Sequence, residues 1–194
     1  MVSLTKNQTV SLTKSAASTL STIGIGLGWD PLKKKGFLAN LFGGNDEIDL
    51  DASCLLLDAS GQPLDLVWFQ QLRSQCGNIV HSGDNQTGEG DGDDEIIRVN
   101  LASLPSQVEY LAITVNSFRG QTFNEVENAF CRVFDNQTGK ELVHFKLAEQ
   151  GPHTGILIAS LSRSGGEWNF KAHGMACEGR AVPEMLPQIV RAIL

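Results

Sequence analysis

The sequence predicts a mainly β protein, a two-sheet antiparallel β-sandwich with a short C-terminal helix. Short runs of β-branched and aliphatic residues recur along the chain and are separated by Gly, Asn and Asp. Long amphipathic helix patterns are missing before the C-terminus, so the alternation of strands and helices that builds a parallel sheet is missing too. The length of 194 residues and the 41% hydrophobic content suit one domain with a substantial core, so we expect 1–194 to form a single domain.

Each predicted strand is a run of residues that favour extended backbone. Ile96, Ile97 and Val99 are good examples, because β-branched side chains pack well on a pleated surface. The predicted strands are 8–13, 21–28, 48–57, 65–69, 78–82, 95–101, 109–116, 127–134, 141–148, 155–163 and 167–175.

The C-terminal segment has the spacing of a helix. Apolar residues recur there at intervals of three and four, namely Leu186, Ile189, Val190 and Ile193. The spacing predicts a helix over 184–194. Pro187 should lie in its first turn or delay its start, because the first turn has no use for the missing N–H.

Charge and targeting signals narrow the classes of function. The formal charge of -7 argues against broad nucleic-acid binding, which needs a basic surface. The first residues lack a basic and then apolar secretion signal, Val2 excludes N-myristoylation, and no apolar run approaches about 20 residues. We therefore expect a cytoplasmic protein, with peripheral attachment to the inner face of the membrane as an alternative.

Cysteines, histidines and a glycine motif do not form known site patterns. The cysteines predict reduced thiols, and the histidines predict isolated surface or strand residues. The glycines at 24, 26 and 28 have GxGxG spacing with no helix pattern after them, which excludes a nucleotide-binding loop. The cysteines and histidines are Cys54, Cys76, Cys131 and Cys177, and His81, His144, His153 and His173.

The strongest functional signal is an acidic, glycine-rich loop at 83–95. Six carboxylates lie within the twelve residues 84–95, without a lysine or arginine among them. Asp-Asn-Gln-Thr-Gly occurs at 84–88 and again at 135–139, where it joins two predicted strands as a hairpin turn in which Asn and Gly supply unusual φ values. The first copy continues into the acidic residues, so the special chemistry lies in that continuation.

A cation would relieve the repulsion in this loop. The donors are hard oxygens, and glycines at 88, 90 and 92 let the backbone curl and turn its carbonyls inward. Calcium tolerates loose geometry with roughly 6–8 oxygens, whereas magnesium demands a tight octahedron, so we expect Ca²⁺ and enough carboxylates for two ions. An EF-hand is excluded because Glu89 stands where that loop requires glycine. The alternative is a solvated acidic turn.

Other oxygen donors could reach the loop. Asp49 and Asp51 are two residues apart, so on a strand they lie on one face, which continues with Ser53 and leads toward the core. Asp30 follows the glycine-rich segment. Each of these three aspartates is either a cation ligand or a cap or turn residue.

Several motifs, spread in order over most of the chain, resemble the TerD-like tellurite-resistance and stress-response family. They are Gly-Leu-Gly-Trp-Asp at 26–30, Asp-Leu-Asp-Ala-Ser at 49–53, His-Ser-Gly-Asp-Asn at 81–85, Thr-Gly-Glu-Gly-Asp-Gly-Asp-Asp-Glu at 87–95, Asn-Ala-Phe at 128–130 and Gly-Glu-Trp at 166–168. The resemblance implies a calcium-binding β-sandwich without a defined catalytic activity. It places the metal ligands among Asp30, Asp49, Asp51, Asp84, Asn85, Thr87, Glu89, Asp91, Asp93, Asp94 and Glu95.

The resemblance also implies partners, namely other proteins of the tellurite-resistance and stress system. Residues 33–46 form an insertion longer than the short acidic linker of simpler family members. Within it, 33–44 combines three lysines with four bulky apolar residues, so it either docks a partner protein or an anionic membrane, or folds back onto the sandwich.

A catalytic alternative uses the same acidic loop. His81 beside a carboxylate-bound metal could activate water, which would make the protein a metal-dependent phosphoesterase, and the loop could also bind a small ligand. The sequence offers no nucleophile with a base at motif spacing, so we expect a non-enzyme.

Overall fold

A computed structural model describes 1–32, 49–83, 85, 92–117, 119–148 and 150–194. Within these ranges the strands are β1 Val2–Leu4, β2 Thr9–Ser11, β3 Thr22–Pro31, β4 Asp51–Leu57, β5 Pro63–Val67, β6 Ile79–His81, β7 Glu95–Asn100, β8 Tyr110–Asn116, β9 Val126–Asp135, β10 Glu141–Lys146, β11 Gly155–Ser164 and β12 Glu167–Cys177. The helices are α1 Leu12–Ser15 and α2 Val182–Ile193, and short 3-10 turns span Leu101–Ser103 and Phe123–Glu125.

The strands form two six-stranded sheets. Sheet A has the order β1-β10-β9-β3-β7-β6, and sheet B has the order β2-β12-β11-β8-β4-β5. The neighbours in both sheets run antiparallel, apart from β1, which pairs with β10 in parallel. The predicted antiparallel sandwich is confirmed. Strand β1 was not predicted, because three residues are too few to show an alternating pattern.

Two hydrophobic clusters hold these layers. The larger lies between the sheets and includes Ile25 of sheet A and Leu56 of sheet B. The smaller lies on the outer face of sheet B, where Leu57 packs with Met185 and Ile189 of α2. Because β4 is apolar on both faces, one face needs the opposite sheet and the other needs the helix.

Two local predictions are wrong at their edges. The strand predicted over 8–13 ends at Ser11, because the Ser11 hydroxyl accepts a hydrogen bond from the Lys14 N–H (3.2 Å) and caps α1. Helix α2 begins at Val182, with Pro183 in its first turn, and Pro187 lies inside it. Contacts of the apolar face of α2 with sheet B hold the helix across this proline.

The second Asp-Asn-Gln-Thr-Gly copy is the predicted hairpin turn between β9 and β10. Gly139 has a φ of 71°, whereas Asn136 is not among the described residues with positive φ, so the prediction holds for the glycine alone. The Asp135 carboxylate accepts hydrogen bonds from the Gln137 N–H (2.9 Å) and the Thr138 hydroxyl (2.8 Å), which hold the pKa of Asp135 below its usual range.

Among the described helices, none is long and apolar enough to cross a membrane.

Candidate functional site

The described part of the acidic loop consists of Gly83, Asn85 and 92–94, followed by Glu95 at the start of β7. The Asp94 N–H donates to the Leu27 carbonyl (2.8 Å), so the end of the loop lies along β3. Several residues that the sequence singled out lie outside the described residues. They are Asp84, Thr87, Glu89 and Asp91, together with the 33–46 insertion.

Glu95 is fully buried and joins the two sheets to the loop. Its Oε2 accepts a hydrogen bond from the Ala52 N–H in sheet B (2.8 Å), and its Oε1 accepts one from the Asn85 N–H (3.0 Å). A buried carboxylate needs such partners to offset its lost hydration. Glu95 therefore fixes the loop where it meets β4.

His81 completes this junction. Its Nδ1 accepts a hydrogen bond from the Gly83 N–H (3.1 Å), so the neutral ring carries its proton on Nε2. That Nε2 lies 3.2 Å from both Glu95 Oε2 and the Ala52 carbonyl. The prediction of an isolated histidine is wrong for His81, because the side chain is buried and paired with Glu95.

The junction has a simple cause in the strand pairing. Strand β5 pairs with β4 from Cys54 onward, so the edge of β4 at Ala52 has no β5 partner. The Glu95 carboxylate and the His81 ring of sheet A satisfy the N–H and the carbonyl of Ala52 instead.

Asp94 is the carboxylate of the described loop that lies among other negatively charged side chains. Its Oδ2 accepts a hydrogen bond from the Trp29 N–H (2.8 Å), and its Oδ1 accepts one from the Asn85 side-chain amide (3.0 Å). Burial raises the pKa of Asp94, and the charges of Asp30, Glu95 and Asp93 raise it further, while the Trp29 N–H opposes them. This carboxylate has the surroundings that a bound cation would relieve.

Asp93 has a different environment. Both of its oxygens are engaged by Arg132 of β9, with Oδ1 2.7 Å from Nε and Oδ2 2.7 Å from Nη2, and its side chain is only 4% exposed. The guanidinium also lies 3.4 Å from Glu141 and over the Phe134 ring. The contact with Asp93 is the main cause that raises the pKa of Arg132.

The glycines of β3 make room for these contacts. We call Gly24, Gly26 and Gly28 the glycine track; in register they pair with Phe134, Arg132 and Phe130 of β9. A Cβ on Gly26 would overlap the Asp93 carboxyl group, and one on Gly28 would overlap the Phe130 ring and crowd the Gly92 carbonyl. The GxGxG motif therefore leaves room on β3 for large side chains and for the end of the acidic loop.

Asp30 lies near the same end of β3. Its Oδ2 accepts a hydrogen bond from the Asn128 amide (2.8 Å), and Asn128 has a φ of 56°. Asp30 is close enough to contribute to the raised pKa of Asp94. Asp30 and Asp94 therefore lie beside Trp29, and Asn85 contacts Asp94.

The other two aspartates contact different groups. Asp49 forms an ion pair with Arg119 (2.8 Å), and its N–H donates to Gln121 Oε1 (3.1 Å). Asp51 is buried opposite Asn116 of β8. The face of Asp51 continues through Ser53 to Leu55 and Leu57, but it is the outer face of sheet B beneath α2, so the expectation that it leads to the core between the sheets is wrong.

Across the ranges that the structure covers, no three or more His, Cys, Asp or Glu side chains are arranged to hold a metal ion.

Sequence reasoning missed Arg132, Asn128 and the role of His81. The alternation of Phe130, Arg132 and Phe134 was an available signal, because large side chains on one strand face need small neighbours. All four cysteines are free, and Cys54 and Cys131 are buried in the core.

Comparison with known proteins gives three findings. The TerD domain family matches residues 1–186. Tellurium resistance protein TerZ of Serratia marcescens is 64% identical over 194 residues, 100% of each chain, and general stress protein 16U of Bacillus subtilis is 39% identical over 186 residues, 92% of each. The crystal structure of a homologue of telluride resistance protein TerD from Streptomyces coelicolor matches with a TM-score of 0.67 and 22% identity, covers 84% of this chain and 94% of that one, and supports the fold alone.

Proposed function

The chain belongs to the TerD family, and we propose on that premise that it is a calcium-binding, non-catalytic protein of tellurium resistance and general stress response that assembles with partner proteins. The observation that carries the calcium proposal is the environment of Asp94. Its carboxylate is partly buried beside Asp30, Asp93 and Glu95, and burial and these charges raise its pKa.

The oxygen atoms of the described site are suitable ligands for a hard cation. The carboxylates of Asp30 and Asp94 accept hydrogen bonds from the neutral groups of Asn128, Trp29 and Asn85. Oxygen donors of this kind favour Ca²⁺ over zinc or copper.

We propose that Asp94 and Asp30 hold the ion together with Asp84, Asn85, Thr87, Glu89 and Asp91, and that Glu95, Asp49 and Asp51 support this end of the sandwich. A bound ion would offset the repulsion between the loop carboxylates and order the loop. The surplus of carboxylates would allow a second ion.

A calcium titration followed by thermal unfolding tests the proposal. A ligand that binds the native state stabilises it by RT ln(1 + [L]/Kd), roughly 3 kcal/mol at 100 times Kd. We expect a rising Tm for the wild type and for an exposed-carboxylate control, Glu178→Gln, and a much smaller response for Asp94→Asn. Equal responses of Asp94→Asn and the control, or no response of the wild type, would contradict the proposal.

The engagement of His81 supports the non-catalytic part. Its Nδ1 accepts from the Gly83 N–H, and its Nε2 faces Glu95 and the Ala52 carbonyl, so the ring is used in structure and is poorly placed to take a proton from water. We expect calcium-loaded protein to hydrolyse generic phosphoesters no faster than Asp94→Asn. A rate that depends on calcium and on His81 would instead favour the phosphoesterase alternative.

We propose partner assembly in the cytoplasm, with 33–44 as the docking segment. Support comes from its composition alone, three lysines beside Phe37, Leu38, Leu41 and Phe42. Deleting 36–44 should reduce co-purification of the stress-system partners. Unchanged recovery of those partners would contradict docking through this segment, and calcium-dependent binding to anionic but not neutral vesicles would assign it to the membrane surface.

A further inference from the structure

We infer that Asp93 is not a cation ligand but one half of a clamp, formed with Arg132, that lays the end of the acidic loop on the glycine track before any cation binds. Arg132 is then a positioning residue for the loop. The inference rests on the proposed function where it concerns calcium affinity, and on the contacts alone where it concerns the calcium-free loop.

The first support is the geometry of the ion pair. The Arg132 fork uses both Asp93 oxygens at 2.7 Å, and the Asp93 side chain is 4% exposed. A planar guanidinium matched to a carboxylate in this way is the most specific form of the pair. A cation that approached the same oxygens would meet the positive charge of Arg132, so this carboxylate is poorly suited to hold one.

The second support is the close approach of the loop to β3. The Asp93 carboxyl group occupies the space that a Cβ on Gly26 would need, and the Gly92 carbonyl crowds the corresponding space at Gly28. Between them, the Asp94 N–H donates to the Leu27 carbonyl (2.8 Å). Three successive residues of the loop thus rest on three successive residues of the strand.

The third support is the strand register. Gly26 pairs with Arg132 across β3 and β9, so the missing side chain of one residue leaves the room in which the guanidinium of the other meets Asp93. The charge of Arg132 is also shared with Glu141 (3.4 Å), which keeps the guanidinium over the strand.

The consequence for binding is preorganisation. Six carboxylates in 84–95 repel one another, and the clamp both compensates one of them and orders the adjoining backbone. Asp94 follows the clamp directly, so its carboxylate is presented in a fixed position. Partners of this supporting kind typically change metal affinity by about 10- to 100-fold when removed.

The test compares variants that break the clamp in different ways. Arg132→Gln removes the charge, and Arg132→Lys keeps the charge but loses the fork. Gly26→Ala leaves every charge in place and displaces the Asp93 carboxyl group. Arg191→Gln is the charge-matched control for Arg132→Gln, because Arg191 is exposed on α2, which packs on the outer face of sheet B.

Two readouts separate the clamp from the calcium proposal. Calcium affinity and stoichiometry are measured by calorimetry, and hydrogen exchange of the amides of 92–94 is measured in chelator. We expect Arg132→Gln and Gly26→Ala to weaken affinity by about 10- to 100-fold and to speed exchange, with unchanged stoichiometry. Arg132→Lys should fall between these variants and the wild type, and Arg191→Gln should resemble the wild type.

Clear outcomes would overturn the inference. Affinity and exchange within twofold of the wild type in Arg132→Gln or Gly26→Ala would remove the clamp. So would an Asp93→Asn variant that binds one ion fewer while Arg132→Gln binds normally, because Asp93 would then be a ligand. If the wild type bound no calcium, the proposed function would fail, and the exchange in chelator would still decide on the clamp.

Discussion

Replacing Glu95 by alanine removes a buried carboxylate at the junction of the two sheets. Two donors lose their acceptor, namely the N–H groups of Ala52 and Asn85, and the Nε2–H of His81 keeps only the Ala52 carbonyl. Glu95 is 0% exposed, so water cannot replace the carboxylate without opening the junction. A stranded buried donor costs roughly 1–3 kcal/mol, so two of them cost roughly 2–6 kcal/mol. We expect the free energy of unfolding to fall by about 4 kcal/mol.

Urea denaturation followed by tryptophan fluorescence measures this loss. The experiment uses chelator, because Glu95 is also a proposed support of the calcium site. At a urea m value of roughly 2 kcal/mol/M, the midpoint should fall by about 2 M. Glu95→Gln keeps the size and one oxygen, but its NH₂ group faces another donor, so its loss should be smaller. Exposed Glu178→Ala is the control and should change stability by less than about 0.5 kcal/mol.

The reasoning is refuted if Glu95→Ala in chelator unfolds at the same urea concentration as Glu178→Ala. A loss that appears only with calcium would also refute it, because Glu95 would then act through the ion and not through Ala52, Asn85 and His81.

Other predictions concern parts of the fold away from the loop. Burial lowers the pKa of His173 from 6.5 to about 4, and the charge of Lys171 lowers it further. The unfolded state therefore binds a proton at higher pH than the folded state, and the free energy of unfolding should fall by about 3 kcal/mol as the pH drops from 6.5 to 4. In a series of urea titrations over this pH range, His173→Gln should show a smaller fall. Asp135→Ala should lose about 1 kcal/mol at neutral pH, as the turn loses its acceptors, and the difference from wild type should vanish as the pH falls through the lowered pKa of Asp135. Met185→Ala should lower the free energy of unfolding by about 3 kcal/mol in a thermal melt, because the side chain is fully buried between α2 and sheet B.

Most strands could be predicted because their signal is local. Runs such as Ile96–Val99 favour extended backbone wherever they lie, and the structure has β7 there. Strand β1 and helix α1 could not be predicted in this way, because three or four residues acquire their conformation from a neighbour. The β10 edge fixes β1, and the Ser11 cap fixes α1.

The same distinction between signals along the chain and contacts made only in the folded structure applies to the candidate site. The acidic loop was visible because its carboxylates are contiguous, whereas their partners come from far along the chain. Asp93 meets Arg132 thirty-nine residues later, and Glu95 meets Ala52 forty-three residues earlier. Neither pair has a spacing that a motif could record.

The sequence by itself determined how much negative charge lies in 84–95 and which runs of residues form strands, because both are properties of neighbours along the chain. Only the tertiary structure decided which carboxylate of the described loop meets a guanidinium and which meets neutral donors. The pairing of Gly26 with Arg132 brings a guanidinium to Asp93, while Asp94 receives neutral donors. Coulomb interactions depend on distance in space, and strand register sets that distance.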